Sequence, residues 1–522
     1  MRPLPGSIFL RRAGLIVVAA IALSAGVHVA AADPVPREKV MAAIPKLEAL
    51  IQEVIAKGEV PGLSIAIVHQ DEVVYLNGFG LREMGKPETV DADTVFQLAS
   101  LSKPISSTVV AALVSDGLVT WDARVADLLP SFQLHDAFPT AQVTLRDLFA
   151  HRSGLPGDAG NDLEAIGFDR TEILHRLRFV PPSSSFRAGY SYSNMGITAG
   201  AMAAAAPSGK AWEAIAAEKL YDPLGMTATS SRHADFVSRT NRAALHIKPD
   251  GTWQAKLTRD ADAQAPAGGV SSSARDLAQW LRLELGKGRY EGRQVIAEDA
   301  IAETHVPLMT RGDNPVTGSA SFYGLGWNVE FGRYGLMWGH AGAFSVGART
   351  LVSIYPKSDL GLIILSNAFP TGVPEGIADS FADLVFEGNT TRDWITPWNA
   401  AYDALFGPAA AAVRKTYSAP PPDKTPALPA KAYAGHYKND YAGAADVAES
   451  EGKLTLKLGP RGEHSFALTH FDRDLFLYYP DPEMADVPSA AQFLISPDGT
   501  ASAVTLDSLN GSGMGTLLRS AD

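Results

Sequence analysis

The chain has 522 residues, 45 of them basic and 57 acidic, and no cysteine. Its formal charge of −12 makes nucleic acid and anionic membranes poor partners, and the missing thiols exclude disulfides, thiol catalysis and cysteine-held metals. With 46% apolar residues the fold must rest on a large core, and the length suits one large unit plus a smaller one.

The first 32 residues hold Arg2, Arg11 and Arg12, an apolar run from Ala13 to Ala22, and Ala30-Ala31-Ala32 before Asp33. This is the pattern of a cleavable signal peptide, so the expected location is periplasmic or secreted, with a mature chain from about Asp33. Its removal takes away three arginines and no acid, which moves the formal charge from −12 to −15. The apolar core is shorter than the roughly 20 residues of a membrane helix, and no later segment is long enough, so no membrane anchor is expected.

Residues 33–395 read as the large unit. Strand-like runs such as Leu63-Ser64-Ile65-Ala66-Ile67-Val68 gather near its two ends, and helical patterns such as Leu277-Ala278-Gln279-Trp280-Leu281 fill its middle. A sheet assembled from both ends around a helical insertion is the economical α/β (α+β) reading. Residues 396–430 read as a helix and a stiff linker with Pro420-Pro421-Pro422, Pro426 and Pro429. In 431–522, short alternating runs such as Lys453-Leu454-Thr455-Leu456-Lys457-Leu458 between turn signals indicate a small all-β barrel.

Chemistry concentrates at Ser100-Leu101-Ser102-Lys103, where Pro104 marks the first turn of a helix that continues through Val109-Val110-Ala111-Ala112-Leu113-Val114. The i, i+3 spacing sets Ser100 and Lys103 on one face near the helix's positive end. Dipole and burial both disfavour an ammonium there, which lets Lys103 take the serine's proton. The spacing alone is weak evidence, because Ser450-Glu451-Gly452-Lys453 repeats it beside a turn. Two further sites add order and context: Tyr192-Ser193-Asn194, and His340-Ala341-Gly342, whose His-x-Gly pattern occurs once in the chain.

Over about residues 37–390 these motifs make the chain resemble the serine β-lactamase and penicillin-binding-protein superfamily, in the class C β-lactamase-like branch that includes D-aminopeptidases, carboxypeptidases and esterases. The likeness extends to Val60-Pro61-Gly62, to the run from Leu145 through His151-Arg152-Ser153-Gly154 to Pro156, and to Asp222-Pro223-Leu224-Gly225-Met226. Pro266-Ala267-Gly268-Gly269-Val270 and Tyr323-Gly324-Leu325-Gly326-Trp327 match as well. The resemblance implies a sheet flanked by helices with a helical subdomain, and an acyl-enzyme at Ser100. Lys103 and Tyr192 would share the proton shuttle, with either as the formal base. It implies further that Asn194, His340 and Gly342 bind substrate and that the Ala343 N–H joins that of Ser100 in holding an oxyanion. The chain departs from the common lysine, threonine, glycine pattern at His340-Ala341-Gly342, which weakens the grip on a substrate carboxylate unless Arg349 restores it. The terminal module resembles, through Tyr433-Ala434-Gly435-His436-Tyr437, the lipocalin-like domain of some relatives.

Together these features imply an exported serine hydrolase for a small amide, a short peptide, D-amino-acid-containing ones included, or an ester. A class C-like β-lactamase and a penicillin-binding sensor that acylates without turnover are the alternatives. Neither cofactor nor metal is implied, since no His-Glu-x-x-His or acidic calcium loop occurs. The expected partner is a small-molecule or short-peptide substrate, and a homo-oligomer is compatible with the sequence.

Overall fold

The computed structural model describes residues 34–481 and 484–520. The signal peptide read at 1–32 lies outside the described residues. No helix among those described is long and apolar enough to cross a membrane.

The large unit begins with helix α1 (Arg37–Ala56) and strands β1 (Gly62–His69) and β2 (Glu72–Gly80). A mainly helical stretch follows, with α2 (Ser102–Ser115), α3 (Asn161–Ala165), α4 (Arg170–Arg176), α5 (Asn194–Ala205) and α6 (Ala274–Leu285). The chain then returns to the sheet with β3 (Met309–Asp313), β4 (Ala320–Tyr323), β5 (Asn328–Gly332), β6 (Gly335–Phe344), β7 (Ala348–Tyr355) and β8 (Leu360–Ser366). Helices α7 (Val373–Phe386) and α8 (Ile395–Thr416) follow. The eight strands form one antiparallel sheet in the order β2-β1-β8-β7-β6-β5-β4-β3, built from both ends of the unit as the apolar runs suggest.

Both faces of the central strands are covered, which is why β1 and β8 read as continuous apolar runs rather than alternating ones. Leu63, Ile65 and Ile67 of β1, with Leu362 and Ile364 of β8, pack against Val40, Leu47 and Ile51 of α1 and Ile377 and Phe381 of α7. Ala66 and Val68, with Ile363 and Leu365, join Leu277 and Leu281 of α6 in the core on the opposite face. Period-two geometry assigns neighbouring residues to different cores, and each fully buried Ile or Leu contributes about 1.5–3 kcal/mol.

Helix α2 passes through the core on that second face, and its hydroxyls tie it in place. Ser102 Oγ accepts the Val270 N–H at 3.0 Å, Ser106 Oγ donates to the Pro266 carbonyl at 2.6 Å, and Ser107 Oγ donates to the Leu325 carbonyl. The turn before it, Ala99–Leu101, is a 3₁₀ segment that opens with Ala99 at φ 48°, a left-handed conformation costly for a residue with a Cβ. The turn is wedged against β6. A Cβ at Gly342 would stand 2.0 Å from the Leu98 carbonyl oxygen and 2.4 Å from Thr350 Oγ1, so the glycine makes room for the Ser100 turn. Thr350 Oγ1 in turn donates to that same carbonyl at 2.7 Å.

After α8, eight antiparallel strands from β9 (Gly435–Asn439) and β10 (Gly443–Ser450) round to β16 (Thr516–Ser520) close into a barrel. Its interior is packed with buried aromatic rings: Tyr433, Tyr437, Phe476 and Phe493 contact one another, and Tyr478 packs against Phe466.

Gly342→Ala forces its new methyl into the Leu98 carbonyl, and overpacking of this kind costs about 1–3 kcal/mol. A lowered urea midpoint together with slower modification of Ser100 by a serine-directed probe is the expected result.

Candidate active site

Three distant segments meet at Ser100. The first is the Ala99–Leu101 turn with the start of α2, which presents a half-buried Ser100 and a fully buried Lys103. The Lys103 amine has three close neighbours: Ser100 Oγ at 3.0 Å, Asn194 Oδ1 at 2.7 Å and the Ala267 carbonyl at 2.9 Å. Burial holds its pKa well below the ordinary lysine value. The amide oxygen and the carbonyl can only accept, so they take two N–H bonds. In the neutral amine this leaves the lone pair directed at Ser100.

The second segment is the loop entering α5. Lys103 Nζ lies 4.6 Å from the centre of the Tyr192 ring. Burial pushes the Tyr192 phenol well above its ordinary value, and a hydrogen bond with Ser100 acts in the opposite direction. The loop owes its position to the segment around His151. His151 Nδ1 accepts the Ser193 N–H at 3.0 Å and its carbonyl accepts the Ser191 N–H at 2.8 Å, with the imidazole 4.6 Å from the Tyr192 ring. Buried Asp147 anchors the flanks, accepting from Arg152 Nε at 2.7 Å and from Arg187 Nη2 at 2.7 Å. Burial raises the Asp147 carboxyl, but the arginine and Thr144 hydrogen bonds outweigh it and leave the group below its ordinary value. The role of the His151 segment is therefore to hold the loop's backbone.

The third segment is β6. Pairing with β5 ends at Asn328 opposite Gly339, so residues 340–344 have a ladder partner, β7, on one side only. His340 and Ala343 line the same cavity of about 1540 Å³ as Ser100, Tyr192 and Asn194. Gly342 lies under the Ser100 turn instead, for the steric reason given above. The cavity continues along the sheet to Asp379 of α7 and to Trp398 and Tyr402 of α8.

His340 is neutral. Its Nδ1 lies 2.8 Å from the Ala341 carbonyl, which can only accept, so that nitrogen carries the proton and Nε2 accepts from the Tyr323 hydroxyl at 3.0 Å. Burial holds its pKa well below the ordinary histidine value. Arg349, the alternative cation on the neighbouring strand, is buried and committed elsewhere. Its guanidinium binds the Glu375 carboxylate through Nη2 and Nε and stacks 4.0 Å from the centre of the Tyr402 ring. Neither His340 nor Arg349 thus presents a free positive charge on these two strands. Arg311, 5.9 Å from the Tyr190 ring, is a further cation on the cavity wall and bonds to neutral Ser321 and Asn328.

Some contributors lie outside the residues singled out from the sequence. The Ala267 carbonyl and Tyr323 sit within segments noted only as matches, and a backbone acceptor leaves no side-chain signature. Asn161, which accepts from Asn194 Nδ2 at 3.4 Å, lies in α3 with no motif around it. Trp280 and Trp327 are core residues, stacked with ring centres 5.5 Å apart.

The profile of the β-lactamase family matches residues 47–385. The chain belongs to the β-lactamase family. A second profile, for a domain of unknown function (DUF3471), matches residues 419–515. Among relatives within reach of this β-lactamase-family chain, an unguisins hydrolase of Aspergillus campestris is 24% identical over 481 residues, covering 87% of this chain and 88% of that one. Penicillin-binding protein 4 of Amycolatopsis lactamdurans is 27% identical over 344 residues, covering 63% and 84%. The fold is shared with the octameric penicillin-binding protein homologue from Pyrococcus abyssi, with a TM-score of 0.56 and 19% identity over 91% of this chain and 100% of that one.

Glu375→Gln strands the buried Arg349 guanidinium without its counter-charge, and breaking such a pair costs about 3–5 kcal/mol. Chemical denaturation of the variant is expected to show a loss of that size.

Proposed function

We propose that the protein is an exported serine hydrolase that forms an acyl-enzyme at Ser100 on a small amide, a short peptide or an ester. The observation that carries this reading is the environment of Lys103: a buried amine, two obligate acceptors, and the serine hydroxyl 3.0 Å away in the remaining direction. Relatives named as a hydrolase and as penicillin-binding proteins support it, as does membership of the β-lactamase family.

In this reading Ser100 Oγ attacks the substrate carbonyl and its proton passes to the Lys103 lone pair. The phenol of Tyr192, kept protonated by burial, faces the same oxygen and relays a proton to the departing amine or alkoxide. Backbone N–H groups of Ser100 and Ala343 hold the oxyanion, each worth about 2.7–4 kcal/mol. Water then enters by the same route in reverse and releases the acid. The neutral His340 and the Arg349 already paired with Glu375 favour substrates that need no carboxylate grip at the strand, including D-amino-acid amides and simple esters, over β-lactams.

Ser100→Ala abolishes labelling by a fluorophosphonate probe and turnover of p-nitrophenyl esters, with little change in melting temperature. Persistent labelling of that variant refutes the assignment. A stable acyl adduct on the wild-type protein without accumulating product, seen by intact mass, replaces hydrolysis by a sensor role.

The base works when Lys103 is deprotonated, so kcat/KM rises with pH through its depressed value. Asn194→Asp places a carboxylate where the amide oxygen stands at 2.7 Å, which favours the ammonium and raises that value. The acid limb of the kcat/KM profile is expected to move to higher pH in the variant.

A further inference from the structure

One short stretch, residues 157–162, lies between the candidate site and the terminal barrel and makes contacts with both. Toward the site, Gly157 approaches so closely that a Cβ there would stand 2.8 Å from the Tyr192 carbonyl. Asn161 Oδ1 accepts from Asn194 Nδ2 at 3.4 Å, while its own Nδ2 donates to the Gly157 carbonyl at 3.4 Å. Toward the barrel, Asp158 accepts from Ser512 Oγ at 3.0 Å, and the Gly160 N–H donates to the Tyr441 hydroxyl at 2.9 Å. That same hydroxyl donates to Asp162. Tyr441 is fully buried in the loop joining β9 and β10, and Arg176 of α4 pins the loop by donating to the Asp440 and Tyr441 carbonyls at 2.8 Å each.

The contact has a chemical consequence through the orientation of one amide. With its NH2 turned to Asn161, Asn194 offers its oxygen to Lys103, and the lysine's lone pair is left for Ser100. Rotated by half a turn, the same amide would offer N–H instead, the lone pair would be spent on it, and the serine would lose its proton acceptor. Nothing in the side chain of Asn194 itself selects between the two. Asn161 selects, and the segment carrying Asn161 is held by the barrel.

We propose that Tyr441 is a positioning residue for the reaction at Ser100: the barrel loop holds residues 157–162 so that Asn161 keeps the Asn194 oxygen on Lys103. The inference rests on the hydrolase reading above and assigns the barrel a part in the chemistry. The packed aromatic interior of the barrel agrees with a structural arm of this kind rather than a ligand carrier.

The test is a double-mutant cycle in the full-length chain, read by steady-state kinetics on a p-nitrophenyl ester and by fluorophosphonate labelling. Tyr441→Phe is expected to lower kcat roughly 10- to 100-fold, the scale of a misplaced catalytic group, while KM stays within about twofold. Asn161→Ala, which leaves the barrel untouched, is expected to do the same, and the double variant to be no worse than either single one. Tyr433→Phe removes a barrel hydroxyl bonded to Leu428 and Asp474, away from the segment, and is expected to leave kcat unchanged. Wild-type kcat in Tyr441→Phe, additive losses in the double variant, or an equal loss in Tyr433→Phe overturns the proposal. Failure of the hydrolase reading looks different: the wild-type protein itself is then neither labelled nor active.

Discussion

A primary amine sealed inside the protein with no acid beside it is the constraint from which the remaining geometry follows. Burying an ammonium costs several kcal/mol even after relaxation, so burial holds the Lys103 amine well below the ordinary lysine value. Its surroundings are two pure acceptors and one hydroxyl, and that set gives a neutral amine a direction. An aspartate in place of Asn194 would reverse the arrangement, because the lysine would become a charged structural residue.

Each converging segment is carried by its own buried scaffold. Serine hydroxyls along α2 bind carbonyls of the 266–325 region, His151 and Asp147 grip the loop ending at Asn194, and the absent side chain of Gly342 lets β6 press against the Ser100 turn. Each of these contacts helps fix the groups that surround the Ser100 hydroxyl. The electrostatics are equally deliberate in effect: both basic residues available at the β6–β7 position are quenched, His340 by its tautomer and Arg349 by Glu375.

Much of this architecture was readable beforehand because it is written in side-chain type. Strand-like apolar runs at the two ends announced a sheet built from both ends around a helical insertion, and short alternating runs after the proline-rich stretch announced a barrel, which closes with eight strands. Ser100, Lys103, Tyr192, Asn194 and His340 stood out as motif residues and Ala343 through the family resemblance, and the fold brings them around one cavity or its wall, with Gly342 beneath. What could not be read depends on partners far apart in the chain. A backbone carbonyl at Ala267, the commitment of Arg349 to Glu375, and the contact between Asn161 and Asn194 have no local signature. The reason for Gly342 was also hidden, since a missing Cβ does not say which neighbour needs the space.

The sheet's layout also governs the order in which the molecule can assemble. Strand β1 lies between β2 and β8, and its pairing of Leu63 with Ser366 joins residues roughly 300 positions apart. Until β8 pairs with it, β1 leaves one edge of the β1–β2 hairpin with unpaired N–H and C=O groups, and an edge of this kind is open to pairing with other chains. Slow, late closure is the kinetic cost of joining two ends of a long chain in one sheet.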